Sequence, residues 1–316
     1  MMRLFSAVIA AGSILLCGSA FAEAEPQDWL NRMAAVVHSI SYEGTVIRIH
    51  GSNVEALKVV HTVENGVVQE KVVAQEGSSL EIIRNGNEVH RILPDRRSVL
   101  VEEWDDKPTL FSTLPSSDVR FGSEYDVSIV RKERVAGRET IMLAIRAHDG
   151  YRYGHRIWLD TETAFPLQTQ LISDGEAIDQ VKFAEIRLNQ EIHASALEPS
   201  VSTEHFTWLR QSTGHEGSTV KTDWNSESLP SGFRAVSIHE DTMASSEEVV
   251  THILFSDGLA NVSVFIAARS GELQAGPARL GGSNAYSVEY GDFEITAIGE
   301  VPAMTVEQIA TSMRRP

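Results

Sequence analysis

Only one cysteine, Cys17, occurs in 316 residues, and it lies inside the first apolar segment. A lone thiol closes no disulfide within the chain and completes no thiolate metal site. Long apolar runs are equally scarce, and after that first segment no stretch approaches the ~20 residues that a membrane helix needs. Positive charge is also in short supply, with 27 Lys and Arg against 44 Asp and Glu. The formal charge of −17 disfavours a nucleic-acid binder, whose footprint is basic. An acidic surface suits basic protein partners, or serves solubility alone.

Catalytic signatures are missing as well. Gly281-Gly282-Ser283-Asn284-Ala285 lacks the closing glycine of a nucleophile elbow. Gly-rich phosphate loops and H-E-x-x-H are absent. His148 and His155 flank Tyr151 and Tyr153, but no third ligand stands at useful spacing for a metal. Carboxylates abound, yet Glu102-Glu103 and Asp105-Asp106 fall in a polar strand end and loop, where charge runs are usually solvated. Binding is therefore expected rather than catalysis, with no cofactor.

What is present begins with a leader. Arg3 supplies a positive start, Leu4 to Leu16 is apolar or small, and Ala20-Phe21-Ala22 is a cleavage signal before Glu23. Leu16, rather than a small residue, precedes Cys17, which favours general signal-peptidase cleavage over lipoprotein acylation. Cleavage near Ala22 would leave a soluble exported chain without cysteine, with charge 26 − 44 = −18 once Arg3 is gone. Export argues against ATP, GTP and NAD chemistry.

The mature chain should open on a helix over Asp28 to His38, with Trp29, Met33, Val36 and Val37 on one stripe. The period then changes to two, as in Thr45, Ile47 and Ile49. Asn65-Gly66, Asn85-Gly86, Ala136-Gly137 and Asp174-Gly175 punctuate successive strand patterns. About ten antiparallel strands follow from these spacings, forming a large curved sheet or barrel. Trp104 to Gly122 breaks the pattern and suits a cover over a cavity or an ordinary connection. Gln211 to Thr219 reads as a linker to a smaller α+β unit, where Thr305-Val306-Glu307-Gln308 is a capping box for a last helix. The domains are thus 1–22 (leader), 23–210, 211–219 (linker) and 220–316.

Aromatic side chains carry the best binding signal. Trp104, Phe111, Phe121, Tyr153 and Trp158 are candidates to line or cover an apolar cavity on the large sheet, plain core packing being the alternative for each. Phe265 alternates with Val264 and Ile266, and faces either the core or a partner.

Four stretches go beyond fold class. They are Asp28-Trp29-Leu30-Asn31-Arg32-Met33 with Ser41-Tyr42-Glu43-Gly44-Thr45-Val46; Arg134 to Arg138 with Tyr153 to Asp160 and Thr163 to Leu167; Leu229-Pro230-Ser231-Gly232-Phe233 with Phe255 to Ile266; and Gly299 to Ala303. In this order the chain resembles the RseB/MucB family of periplasmic sigma-E regulatory proteins. One departure is Ala164-Phe165, where a Gly-containing turn is expected. The resemblance implies an α+β, β-rich fold: a large antiparallel half-barrel like that of lipoprotein carriers, with packed helices, plus a smaller α+β C-terminal domain. It also implies a soluble periplasmic negative regulator that binds the periplasmic part of a membrane-anchored anti-sigma factor and shields it from site-1 proteolysis. Acyl chains of lipopolysaccharide or lipoprotein are the implied signal, and a homodimer is a compatible arrangement. A periplasmic lipoprotein or lipid carrier is the alternative, and the second domain argues against it, since simple carriers are one half-barrel.

Overall fold

The structure, a computed structural model, describes residues 25–77, 79–103, 110, 114, 121–211, 221–242, 249–269, 271, 275–280 and 282–315. The leader with Cys17 and Ala22, the candidates Trp104 and Phe111, and residues 212–219 of the expected linker lie outside the described residues.

Helix α1 (Pro26–Val37) starts two residues before the expected Asp28, because Pro26 occupies the first turn, where its missing N–H costs nothing. Asp28 falls in that turn and complements the helix dipole. Its buried stripe is Trp29, Leu30, Met33, Ala34 and Val37.

Among the described residues twelve strands follow. They are β1 (Tyr42–His50), β2 (Asn53–Glu64), β3 (Val67–Ala74), β4 (Glu81–Asn85), β5 (Glu88–Leu93), β6 (Ser98–Glu103), β7 (Tyr125–Val135), β8 (Arg138–Ala147), β9 (Gly154–Asp160), β10 (Pro166–Ser173), β11 (Glu176–Leu188) and β12 (Thr207–Gln211). One sheet contains them all in the order β12-β6-β5-β4-β3-β2-β1-β11-β10-β9-β8-β7. Every pairing is antiparallel except that of β12 with β6. Among the described residues the two edges do not join, so the sheet is the expected half-barrel and not a closed barrel.

Local chemistry explains the hairpins. Asn65 and Gly66 adopt φ 52° and 79°, and Asp174 and Gly175 φ 50° and 85°, the paired positive angles of a type I′ turn. The Ala164 departure is resolved by Asp160. Its Oδ1 accepts from the Glu162 and Thr163 amides and the Thr163 hydroxyl, which holds Ala164 at φ 65° without a glycine. Burial opposes ionisation of Asp160, but bonds from Arg138 and Thr163 outweigh it and keep the carboxyl below its ordinary range. Gly44 answers a different need. A Cβ there would sit 2.5 Å from the Glu185 carbonyl oxygen, so only glycine lets β1 approach β11 beside its bulge.

The first core lies between α1 and one sheet face. Met33, Leu143, Ile157, Leu159, Phe165, Leu167 and Phe183 are all fully buried there. Tyr42 packs edge-on to Phe183 at 5.8 Å and tilted to Phe165 at 4.9 Å. Each such side chain contributes about 1.5–3 kcal/mol.

The second domain comprises β13 (Asn225–Ser226), β14 (Arg234–Thr242), β15 (Val249–Ser256), β16 (Asn261–Ala268), β17 (Gly276–Leu280), β18 (Ser283–Tyr290), β19 (Phe293–Gly299), α2 (Ala303–Ser312) and β20 (Met313–Arg314). Six strands form a sheet in the order β14-β15-β16-β19-β18-β17, while β13 pairs with β20. Val306, Ile309 and Ala310 of α2 pack against Ile253, Val264, Ile295 and Ala297. The expected capping box does not form. The helix begins at Ala303 after Pro302, so Thr305 lies inside the first turn and its hydroxyl donates to the Tyr151 carbonyl instead.

Candidate functional site at the domain seam

Register places one end of the first sheet's inner face against the second domain. Ile145, His155, Leu171, Asp179 and His50 are successive cross-strand partners there, so the row turns from apolar to polar across the sheet. A cavity of about 210 Å3 separates part of this row from Leu259, Ser283 and Glu300. Leu259 nevertheless reaches the first core, where it is 5% exposed.

Arg152 is the centre of the seam. Its side chain is fully buried, with Nε 3.1 Å from the Asp257 carboxylate and Nη1 3.3 Å from that of Asp149. Both contacts are ion pairs whose angles fall short of hydrogen bonds, while Nη2 donates to the Ser231 carbonyl. The guanidinium also lies 5.4 Å from the Tyr125 ring centre and 5.3 Å from that of Phe233. Tyr125 donates its hydroxyl to Asp257 at 2.8 Å. Burial, and then the Asp257 charge, push the Tyr125 phenol well above its ordinary range, so it remains a donor throughout the working pH range.

The loops that receive Arg152 are built for that purpose. Asp257 Oδ1 accepts from the Leu259 and Ala260 amides, which fixes the turn and aims Oδ2 across the seam. Gly258 at φ 102° and Gly232 at φ 81° supply backbone that other residues rarely adopt. Ser231 donates to Glu124 at 2.9 Å, a bond that holds the Glu124 carboxyl below its ordinary range.

Two further contacts flank this clamp. Asn284 Nδ2 donates to the Tyr153 hydroxyl at 3.2 Å and to the Val301 carbonyl at 2.7 Å. Farther along, His50 Nδ1 lies 2.8 Å from Asp179, with Arg48 at 3.8 Å from the same carboxylate. Glu300 of the second domain faces this group. Desolvation, and then the Asp179 charge, raise its pKa, against the opposing pull of Arg48 and His50. Burial alone lowers the His155 pKa to about 4, so its imidazole is neutral at physiological pH.

The described candidates fall in different places. Tyr153 lies at the seam and lines a cavity. Phe121 packs edge-on to Tyr125 at 5.4 Å, near the clamp. Trp158 is buried and donates its indole N–H to Glu133, holding that carboxyl below its ordinary range, so it is a core side chain with a satisfied polar tip. Phe265 faces outward from the second sheet, 36% exposed, and stacks on His252 at 4.5 Å, while Val264 and Ile266 point into the core. Arg152 and Asp257 escaped sequence reasoning as a pair. The available signal was an arginine between two tyrosines, in the order Tyr151-Arg152-Tyr153.

Among the described residues no three His, Cys, Asp or Glu are grouped to hold a metal, and no helix is long and apolar enough to cross a membrane. Fold and seam together define a class: a half-barrel binding protein whose second, α+β domain is clamped across one end of the sheet. The family is specific. Residues 25–201 match the MucB/RseB N-terminal domain and residues 218–314 the MucB/RseB C-terminal domain, and the chain belongs to this family. Its relatives include the sigma factor AlgU regulatory protein MucB of Pseudomonas aeruginosa, 27% identical over 99% of this chain and 98% of that protein. The sigma-E factor regulatory protein RseB of Escherichia coli K12 is 25% identical over 98% and 97%. In solved structures, the chain is similar to MucB in the Pseudomonas aeruginosa MucA/MucB complex, with TM-score 0.68 and 26% identity over 92% of this chain and 99% of that one.

Proposed function

We propose that this chain is a soluble periplasmic regulator that binds the periplasmic part of a membrane-anchored anti-sigma factor and shields it from site-1 proteolysis. The sigma factor then stays sequestered until the shield is withdrawn. The observation that carries this reading is the match of both domains, in order, to a family whose relatives are sigma factor regulatory proteins. The likeness to a MucB solved together with MucA supports a protein partner. A binding role also suits a chain whose buried charges serve to join two domains.

Phe265 is the proposed partner contact, being an aromatic side chain left partly open on the second sheet. The test is direct. Purified Glu23–Pro316 at saturating concentration should slow site-1 cleavage of the anti-sigma periplasmic segment, and an unchanged cleavage rate would defeat the proposal. An acylated ligand that prefers the unshielded state would shift the equilibrium by its differential affinity and no more.

A further inference from the structure

Met33, Met142, Met304 and Met313 are the methionines among the described residues, and all but Met304 are buried. Met304 is 47% exposed. It is the second residue of α2 and, with Pro302 and Gly150, lines a cavity of about 760 Å3 whose wall comes from both domains. Small solutes reach the side chain through that opening. From Glu23 onward the chain has no thiol to compete for an oxidant.

The exposed side chain still touches the first domain. A Cβ on Gly150 would sit 3.4 Å from Met304 Sδ, an ordinary van der Waals contact, so the thioether rests on the backbone of the β8–β9 loop. That loop bears the seam on both sides of Gly150. Asp149 accepts from the Tyr151 amide at 2.9 Å and pairs with Arg152 at 3.3 Å. The Tyr151 carbonyl accepts at 2.6 Å from the hydroxyl of Thr305, the residue after Met304. One apolar contact thus sits among the polar ones that join the domains.

We propose that Met304 is a site of reversible sulfoxidation by peroxide-class oxidants, and that the sulfoxide loosens the seam. A sulfur lone pair attacks one peroxide oxygen, and the S–O bond forms as the O–O bond breaks. The departing hydroxide takes the proton from the oxygen now on sulfur and leaves as water. Sulfur loses two electrons and the peroxide gains them. The product replaces a flexible apolar group with a polar one. Its oxygen seeks water, which draws the side chain off Gly150 and opens the contact to solvent. Methionine sulfoxide reductases return the thioether, so the mark can be erased. The inference goes beyond the shielding reading, and its test uses no anti-sigma segment, so the two can fail separately.

Treatment of Glu23–Pro316 with dilute hydrogen peroxide, followed by peptide mass mapping, gives the rate at each methionine. Met304 should gain oxygen about tenfold faster than Met33, Met142 and Met313, because exposure governs susceptibility. The oxidised chain should melt about 3 °C lower by calorimetry, and methionine sulfoxide reductases with a thiol reductant should restore the parent Tm. Met304→Leu keeps the apolar contact, so it should melt like the parent and hold its Tm through the same treatment. Met304→Gln places a polar amide where the sulfoxide would be, and should melt about 3 °C lower without peroxide. Oxidation of Met304 no faster than that of the three buried methionines would overturn the site. An equal Tm loss in treated Met304→Leu would place the damage elsewhere, such as at Met243, and overturn the role of this sulfur. A sulfoxide at Met304 with unchanged Tm would overturn the effect on the seam.

Discussion

Replacing Arg152 by methionine removes the charge that answers Asp257 across the seam while keeping much of the side-chain bulk. In the intact protein the two groups are 0% and 2% exposed and lie 3.1 Å apart. Without the guanidinium, Asp257 keeps the Tyr125 hydroxyl and two amides of its own loop but, among the described residues, no cation. Breaking one side of a buried pair costs about 3–5 kcal/mol, chiefly because the other charge is left uncompensated. Asp257→Asn removes that charge and keeps an oxygen for the loop amides, so the double variant Arg152→Met/Asp257→Asn should recover about 2 kcal/mol of the loss. Differential scanning calorimetry of Glu23–Pro316 gives the readout. The parent should melt cooperatively and Arg152→Met should separate into two transitions, because each domain has its own core. A loss below about 1 kcal/mol, or strict additivity in the cycle, would refute the clamp.

Other perturbations test neighbouring parts. The depressed His155 pKa means that the unfolded state binds more protons as pH falls from 6.5 towards about 4, so stability should drop across that window, by about 2 kcal/mol given the ring's partial exposure. Urea denaturation of His155→Gln should show a flatter pH profile, and an identical profile would exonerate the imidazole. The raised Glu300 pKa has the opposite sign: the charged form is penalised above its folded pKa and the penalty fades as pH falls to 4.5. Glu300→Gln should therefore raise Tm at pH 7 to 8 and leave it unchanged near pH 4, and a Tm loss at neutral pH would contradict this. Gly44→Ala should cost at least about 2 kcal/mol in urea denaturation, since its methyl meets the Glu185 carbonyl, and a neutral result would mean that β1 and β11 can part freely. Phe265→Ala should leave Tm within about 2 °C, because the ring is partly open, yet weaken anti-sigma binding in a pull-down with the segment.

The strands were legible because period-two patterns and positive-φ dipeptides are local signals. Asn65-Gly66 and Asp174-Gly175 sit at the hairpins they announce. Long-range pairing was not legible: nothing local states that β1 lies beside β11, or that β12 returns to β6 in parallel. The last helix shows how context overrides a motif, since Thr305 carries a capping-box pattern but spends its hydroxyl on Tyr151 of the other domain. At the seam, Asp257-Gly258 read as a turn, which it is, while the outward Oδ2 depends on Arg152, over a hundred positions earlier. Trp158 and Phe265 looked alike as isolated aromatics, and only the sheet faces separated a buried indole from a partly open ring.

The parallel pairing of β12 with β6 has a mechanical side. The chain leaves the first domain at the edge of the sheet opposite β7, directly after Gln211. Residues 212–220 span at most roughly 30 Å when fully extended, at about 3.3 Å each. A pull that parts Gln211 and Lys221 beyond that length loads the β12–β6 pairing, whose register runs from Gln211 back to Thr207. The linker joins the same two domains as the clamp, so β12 takes load only once the clamp has let the domains part that far.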